Sequence, residues 1–314
     1  MGETMSIRTQ QNEYTYIQRL ASFRRLYSIA KKYSNGYVML NVVMMTTLTL
    51  LSIGLNSEVL AKKFDFTQTD YSSWLAVISI IVLTIDKLII ADRIDAHREK
   101  AAKIQEYFDR GLFKLGWNAT QAGPPPRFED IARHGEWYLK KHKITDLLDW
   151  YAIKSDQVPH YFQVLICQNS SLYWDANLRE KINYAVIVGG VIVLAGALAL
   201  CMHFDLSTSA ILTNLTALLG PILDYGYNTL KENKASIEQA QRLLDNIELS
   251  IANAESNPSE DSMRRAVESI QDQLFVKRKT DWLIPDFFYK VFRNSDETVM
   301  RLSTQELEEK FTDH

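Results

Sequence analysis

The sequence predicts an all-α membrane protein with four transmembrane helices and helical cytosolic regions between the second and third spans and after the fourth. Four apolar stretches, residues 37–55, 72–91, 184–202 and 206–223, each come close to the ~20 residues with which a helix crosses a bilayer. The rest of the chain lacks the alternation of polar and apolar residues that is typical of a half-buried strand. The overall composition, 46% hydrophobic and 23% charged, hides these spans because it averages them with strongly polar segments.

Composition and charge exclude several classes of protein. A formal net charge of −3 and a pI near 6.1 argue against a binder of DNA or RNA, which would be basic. Two cysteines, Cys167 and Cys201, are too few for a disulfide framework or a Cys-based zinc site. No phosphate-binding loop, dinucleotide-binding fingerprint or zinc protease motif is found. We therefore predict no catalytic residues, no metal and no cofactor, and we expect that the protein is not an enzyme.

Two details of the spans bear on their arrangement. Only residues 203–206 or so separate the third span from the fourth, which predicts an antiparallel helical hairpin. Asp86 and Lys87, near the end of the second span, are the only charged residues within a predicted span. The span either ends near Ile85, or the pair makes a buried polar contact beside a neighbouring helix. The sequence alone leaves both interpretations open.

The distribution of lysine and arginine predicts the orientation. These residues are concentrated outside the spans at both ends of the chain and in its middle, whereas the loop at 56–71 and the third-to-fourth connection are poor in them. Cytoplasmic loops carry such an excess, so we place the amino terminus, the middle segment and the carboxyl terminus in the cytoplasm. The predicted segments are a cytosolic amphipathic helix at 1–36, a membrane hairpin at 37–91, a cytosolic region at 92–183, a second membrane hairpin at 184–224, and a cytosolic helical hairpin at 225–314.

Periodicity predicts helices throughout the cytosolic segments. Residues 7–33 have aromatic and aliphatic residues at three- and four-residue spacing, which fits either an interfacial lever on anionic lipid or a packed cytosolic helix. Three consecutive prolines at 124–126 interrupt the middle segment, since they cannot lie inside a helix. The middle segment is predicted to contain helices at 92–111, 128–141, 144–151 and 161–184.

A short heptad pattern follows the fourth span. Leu230, Ile237, Leu244 and Ile251 recur every seven residues. Fewer than four heptads is a weak signal, so both a helical hairpin within one chain and an oligomerising coiled coil fit the pattern.

Residues 166–179, just before the third span, combine aromatic, amide, acidic and basic side chains. Aromatic rings can stack on a nucleobase, and an arginine can donate two hydrogen bonds to a phosphate. The same residues could instead form a buried polar network that braces the span. The candidate ligand-binding residues in this stretch are Gln168, Asn169, Trp174, Asp175 and Arg179.

Polar side chains inside the spans are candidates for lining a pore. The first span contains Asn41, Thr46, Thr47 and Thr49, and the fourth contains Thr213, Asn214 and Thr216. Threonine and asparagine in spans also hydrogen-bond across helices or back to the carbonyls of their own helix. The main pore-lining candidates are Asn41, Thr46, Thr47, Thr213 and Asn214.

Several ordered motifs resemble the SMODS- and SLOG-associating four-transmembrane effector family. They are Gln11-Asn12, Leu115-Gly116-Trp117-Asn118, Asp149-Trp150-Tyr151, the 166–179 stretch, Gln271-Asp272-Gln273 and the 284–289 segment. The resemblance covers essentially the whole chain, and it adds Trp150 and Tyr151 to the candidate ligand-binding residues. Asn169 and Ser171 depart from the family pattern, which expects an arginine and an asparagine there, so the resemblance implies no phosphate contact from position 169.

The resemblance implies a function that periodicity and spacing do not show. Members of this family are similar to pore-forming anti-phage effectors that permeabilise the inner membrane, so that the infected cell stops growing. The implied partners are a cyclic oligonucleotide or another nucleotide second messenger, the lipid bilayer, and further copies of the same chain. The alternative is a non-conducting membrane-anchored scaffold or interaction protein, which would respond to no ligand.

Overall fold

The computed structural model describes residues 6–203, 208–257, 259–289, 291–292, 304–309 and 311, without the side chains of residues 59, 72, 200–203 and 208–217. Helices account for most of this part of the chain, and it contains no β-strand. The predicted all-α fold is therefore confirmed.

Long helices dominate the structure, and two short π-helical turns interrupt the first two apolar helices. The helices are α1 (Ile7–Gln10), α2 (Tyr14–Val38), α3 (Met45–Leu55), α4 (Glu58–Phe64), α5 (Ser72–Ile85), α6 (Ala91–Leu112), α7 (Ala119–Ala122), α8 (Phe128–Leu139), α9 (His160–His203), α10 (Thr208–Ser256) and α11 (Glu260–Thr280). The π-helical turns span Met39–Met44, between α2 and α3, and Asp86–Ile90, between α5 and α6.

The chain divides into two compact units. The first, here called the core unit, comprises Met1–Lys31, Asp95–Glu180 and Asn233–His314. The second, the span unit, comprises Lys32–Ile94 and Lys181–Glu232. Helices α2, α6, α9 and α10 each contribute one part to the core unit and the other part to the span unit.

The core unit is built around a hydrophobic core from α2, α6, α9, α10 and α11. Phe108 of α6 is fully buried, and edge-to-face contacts join its ring to those of Tyr16 and Phe23 on α2. Such aromatic pairs add about 0.5–1.5 kcal/mol each beyond the area that they bury. The predicted amphipathic helix at 7–33 is thus observed as α1 and α2, and its apolar face packs within the core unit.

The heptad residues lie in a helical hairpin of α10 and α11. Ala240, Leu244 and Ile247 of α10 and Val267 and Ile270 of α11 are buried in the same core. Of the heptad residues, Leu244 and Ile251 are buried, whereas Leu230 and Ile237 are partly exposed. Whether the seam also pairs with a second chain stays a prediction. Ser259 begins α11, since its side chain accepts a hydrogen bond from the Ser262 backbone N–H.

The span unit exposes apolar side chains that a water-exposed surface would not favour. Ile80 is 66% exposed, Leu88 69% and Ile192 65%. Three continuous helices of the described residues are long and apolar enough to cross a membrane, Tyr14–Leu55, Ser73–Leu112 and His160–Ala199. The turn at 204–207 lies outside the described residues. In the fourth predicted span, at 206–223, the backbone is helical from Thr208 onward and the side chains are described from residue 218.

Two local predictions concern residues 144–151 and the end of the second apolar stretch. The helix predicted at 144–151 is wrong, because only a single 3-10 turn forms at Ile144–Leu147 and the chain then leaves helical geometry at Leu148. The helix of the second apolar stretch continues past Ile85 through its π-helical turn into α6, and whether the membrane span ends near Ile85 stays a prediction. In that turn, Asp86 is buried and Lys87 is exposed.

Candidate functional site

The loop at residues 149–151 is fixed by two neighbouring amides near the amino terminus. The Gln11 side chain donates to the Tyr151 carbonyl (3.1 Å) and accepts from the Tyr151 backbone N–H (2.8 Å). The Asn12 side chain donates to the Asp149 carboxylate (2.8 Å) and accepts from the Asp149 backbone N–H (2.9 Å). Asp149 adopts a left-handed backbone with φ 51°, which an aspartate tolerates better than most residues. These paired bonds direct the Tyr151 side chain into the core unit.

Tyr151 belongs to a buried polar network centred on Asp109 of α6. The Tyr151 hydroxyl donates to Asp109 (2.8 Å), and the guanidinium of Arg278 on α11 pairs with the same carboxylate (2.5 Å). Burial, followed by the charge of Asp109, raises the pKa of Tyr151 well above its usual value. Gln271 of α11 also donates to Asp109 (3.3 Å) and accepts a hydrogen bond from Gln168 of α9 (3.1 Å). The network therefore connects α6, α9 and α11.

Glu106 extends this network by one helical turn. It pairs with Arg110 (2.5 Å) and accepts a hydrogen bond from Gln271 (2.7 Å), and its side chain is only 1% exposed. Burial and then the neighbouring Asp109 charge raise the pKa of Glu106 to about 7. Arg110 in turn pairs with Asp272 and donates to the Gly116 carbonyl. We call these connected residues the Asp109 network: Glu106, Asp109, Arg110, Tyr151, Gln168, Gln271, Asp272 and Arg278.

An open cleft of about 360 Å³ adjoins the Asp109 network. We call it the Trp117 cleft, and it is lined by Arg110, Gly116, Trp117, Asn118, Ala119, Thr120, Glu268 and Asp272. The Asn118 amide donates to Asp272 (2.8 Å), and its oxygen caps α7. The Trp117 indole N–H donates to the Gly123 carbonyl (2.8 Å), which fixes the orientation of the ring. Gly123 has φ 67°, a backbone conformation that glycine adopts at little cost.

The groups around the Trp117 cleft suit recognition of a nucleobase. A tryptophan ring provides a face for stacking, and the Asn118 amide has a second N–H besides the one that it donates to Asp272. The Asp272 carboxylate, which already accepts from Arg110 and Asn118, has further acceptor positions for N–H groups on the edge of a base. The Arg110 guanidinium is held at the wall of the cleft by Glu106 and Asp272. The volume lies at the lower end of the range for small-ligand sites, so it fits one nucleoside-sized group rather than a whole oligonucleotide.

Arg179 lies in a second buried cluster, on α9. Its guanidinium donates to Asp175 (3.0 Å), Asn233 (2.8 Å) and Asp281 (3.0 Å), as well as to the Trp282 carbonyl (3.2 Å). The side chain is only 3% exposed. Most of its donor capacity is therefore used by the protein.

Lys277 of α11 completes this cluster. It is equally buried, pairs with Asp175 and Asp281, and donates to Ser236 of α10. Burial alone would raise the pKa of Asp175, but Arg179 and Lys277 outweigh it and hold that pKa at about 2. The Arg179 cluster (Asp175, Arg179, Asn233, Ser236, Lys277 and Asp281) thus ties α9, α10 and α11 together through ion pairs and hydrogen bonds.

The predicted ligand-binding residues do not form one site. Tyr151 and Gln168 lie in the Asp109 network, whereas Asp175 and Arg179 lie in the Arg179 cluster. Trp174 stacks on Tyr289 with ring centroids 5.3 Å apart, and Asn169 is partly exposed on α9. Trp150 packs against Phe23 and lies beneath the Arg24 guanidinium. Whether these side chains touch a ligand stays a prediction.

The described pore candidates are hydrogen-bonded mainly to their own helix. Asn41 donates to the Tyr37 carbonyl (3.3 Å) and Thr47 to the Val43 carbonyl (2.8 Å). The Thr46 hydroxyl is buried and has no hydrogen-bond partner among the described residues. Thr213, Asn214 and Thr216 lie outside the residues whose side chains are described. The pore-lining role of all these residues stays a prediction.

Sequence reasoning missed the Trp117 cleft as a site, although it used two of the motifs that form it. The sequence assigns no role to the motifs Leu115-Gly116-Trp117-Asn118 and Gln271-Asp272-Gln273. The structure brings Gly116, Trp117, Asn118 and Asp272 together. Arg110, in a charged helix, carried no signal in the sequence. Within the described residues, no three His, Cys, Asp or Glu side chains are arranged to hold a metal ion.

The fold defines a class of protein: an all-helical membrane protein with long apolar helices that continue into a charged, packed core unit. Comparison with known families is more specific. Residues 5–307 match the family model described as the SMODS-associating 4TM effector domain, so the chain belongs to that family and contains a domain of four transmembrane helices.

Comparison with curated proteins gives a relative of similar length. The chain is 25% identical over 293 residues to a "Probable CBASS effector molecule" of Bacillus cereus (strain VD146), and the match covers 93% of this chain and 94% of that protein. No solved structure matches.

Proposed function

We propose that this protein is a bacterial anti-phage effector that responds to a nucleotide second messenger by permeabilising the inner membrane. Three observations support the proposal: membership of the 4TM effector family, a relative whose printed name is that of a CBASS effector, and apolar helices that continue into the core unit. The termini lie in the cytoplasm, and the permeabilising form is a homo-oligomer of this chain. The protein carries out no catalysis.

The nucleotide binds in the Trp117 cleft. The observation that carries this assignment is that Trp117, Asn118 and Asp272, from two separate motifs, meet at an open volume of about 360 Å³. One base stacks on Trp117, while Asn118 and Asp272 hydrogen-bond its edge. The phosphates extend outward, because the Glu268 and Asp272 carboxylates would repel them inside the cleft.

The effect of ligand binding is transmitted to the spans through α9. A base that engages Asp272 alters its pairing with Arg110, and Arg110 pairs with Glu106, which Gln271 joins to Gln168 of α9. The ligand shifts the protein between closed and open states only if its affinity for the two differs. A 100-fold preference for the open state corresponds to a coupling free energy of about 2.7 kcal/mol.

Binding measurements on the full chain in nanodiscs test this site. A panel of cyclic dinucleotides, cyclic trinucleotides and NAD-derived nucleotides is titrated by calorimetry, first against the wild type and then against Trp117→Ala. Base stacking on an aromatic side chain is worth about 1–3 kcal/mol, so the Kd for the active nucleotide rises roughly 5- to 150-fold in the variant.

Trp137→Ala is the matched control, because Trp137 is a partly exposed tryptophan of the same unit and contacts Arg25 and Lys141 instead. Its Kd stays at the wild-type value. If nucleotide binding is weakened equally in both variants, or only in Trp137→Ala, the cleft assignment is wrong. If Trp117→Ala leaves binding unchanged and Trp174→Ala abolishes it, the site lies in the 166–179 stretch instead.

A further inference from the structure

The segment after α11 exposes aromatic and aliphatic side chains that the proposed function does not use. The backbone is helical at residues 286–289 and 291–292. Phe287 is 68% exposed and Val291 is 55% exposed. The Phe288 ring contacts the Phe287 ring at 5.7 Å and stacks on the Phe292 ring at 6.4 Å. We call residues 284–289 and 291–292 the aromatic segment.

Specific contacts hold the aromatic segment to the rest of the core unit. Ile284 is buried at its start. Asp286 pairs with the ammonium group of Lys31 at 2.7 Å, and the same ammonium lies 4.1 Å from the centre of the Tyr289 ring. Tyr289 also stacks on Trp174. The exposed Phe287 therefore lies between Asp286 and Tyr289, which both contact other parts of the core unit.

These contacts attach the segment to two helices, α2 and α9, whose sequences continue into apolar stretches. Lys31 lies on α2, six residues before Tyr37, where the first charge-free stretch begins. Trp174 lies on α9, ten residues before Tyr184, where the next such stretch begins. A helix rises 1.5 Å per residue, so these separations are about 9 and about 15 Å along the helix axes. Headgroup layers add about 5–8 Å to each side of the hydrocarbon core, and an aromatic side chain reaches several ångströms further.

We propose that the aromatic segment is an interfacial lipid anchor, in which Phe287 and Val291 enter the headgroup boundary of the bilayer that the apolar helices cross. Aromatic side chains are enriched at that level of membrane proteins. The exposed Tyr184 and Tyr227, at the ends of the apolar stretches of the span unit, match the same preference. The segment adds a membrane contact to the core unit, beyond those made by the spans.

The exposed area favours lipid over a second copy of the chain. An aromatic side chain buries about 150–250 Å², and one valine adds less. A stable interface between proteins buries about 1,200–2,000 Å² in total. Two side chains are therefore too small a patch for self-association but are sufficient for partial insertion into a bilayer to which the protein is already fixed.

Depth-dependent quenching in liposomes tests the anchor. Phe287→Cys is introduced into a Cys167→Ala, Cys201→Ala background and labelled with an environment-sensitive fluorophore, and the full chain is reconstituted with phosphatidylcholine and phosphatidylglycerol. We expect lipids that carry a doxyl quencher near the headgroup to quench the label at least twofold more than they quench a label at Leu249→Cys. Leu249 is the matched control, since it is a 62% exposed leucine on the core-unit part of α10.

Val291→Cys is a second labelling site, and we expect it to be quenched like the first. Equal quenching at 287, 291 and 249 overturns the anchor. A blue-shifted emission at 287 and 291 without quenching by the doxyl lipids also overturns it, since it indicates a protein contact instead. The measurement needs no nucleotide, so its outcome is independent of the proposed function.

Discussion

At the scale of single residues, the core unit contains several buried ionisable groups that pair with one another. Within the Asp109 network, three carboxylates face two guanidinium groups, those of Arg110 and Arg278. Glu106 is almost fully buried, and its pKa is raised to about 7, so it exchanges a proton near physiological pH. Buried groups with perturbed pKa values concentrate at functional sites, and this one adjoins the proposed nucleotide cleft.

The raised pKa of Glu106 predicts a pH dependence of stability. Unfolded glutamate titrates near 4.5, so between about pH 4.5 and 7 the folded protein retains a proton that the unfolded chain releases. This contribution to stability is fully present below about pH 4.5 and is lost as the pH rises through about 7. Relative to Glu106→Gln, the wild type should lose about 1.4 kcal/mol of unfolding free energy between pH 6 and pH 8.

Denaturant titration in detergent at both pH values measures that difference. His134, whose pKa is lowered by burial to about 4, titrates identically in wild type and variant, so its effect cancels. Glu129→Gln, at an exposed position of α8, is the control and keeps the wild-type pH dependence. Identical pH dependence in Glu106→Gln and the wild type would show that Glu106 does not retain the proton.

At the scale of helices, the Arg179 cluster joins α9, α10 and α11 near the residues where α9 and α10 leave the core unit. Its two cations and two carboxylates balance, and each cation contacts both carboxylates. A buried pair of this kind need not stabilise more than apolar residues would, but removal of one partner leaves the others uncompensated.

Removal of Arg179 should therefore be far more damaging than removal of an exposed arginine. We expect Arg179→Ala to lower the unfolding free energy by about 3 kcal/mol or more, because Asp175 and Asp281 lose a buried partner. Arg264→Ala is the control, since Arg264 is half exposed and its ion pairs measure 3.9–4.0 Å, so its loss should cost less than about 1 kcal/mol. Denaturant titration of both variants provides the comparison, and similar losses would contradict a stabilising role for the cluster.

Helix type and approximate position could be predicted from periodicity, whereas contacts between distant segments could not. Helices α6 and α8 lie close to their predicted ranges because each has a strong apolar period. The helix expected at 144–151 failed because Gln11 and Asn12, far away in sequence, fix residues 149–151 as a loop. For the same reason the sequence predicts one site at 166–179, whereas Gln168 donates to Gln271 on α11 and Arg179 donates to Asp281, just after α11.

At the scale of the whole molecule, one chain combines apolar helices with a charged core unit, and α9 contributes to both. The Trp117 cleft and the Asp109 network lie in the core unit, and the exposed apolar helices lie in the span unit. This division suits an effector in which a soluble ligand controls a membrane event, provided that the ligand distinguishes two states of the protein.

Dye release from liposomes tests that central claim most directly. The full chain is reconstituted with an enclosed fluorophore, and the nucleotide panel is added to the wild type and to Trp117→Ala. We expect one nucleotide to trigger release from wild-type liposomes, and the variant to need a roughly 5- to 150-fold higher concentration of it. Leakage that is the same with and without every nucleotide, or no leakage under any condition, would contradict a nucleotide-controlled effector, and the second result would favour a non-conducting scaffold.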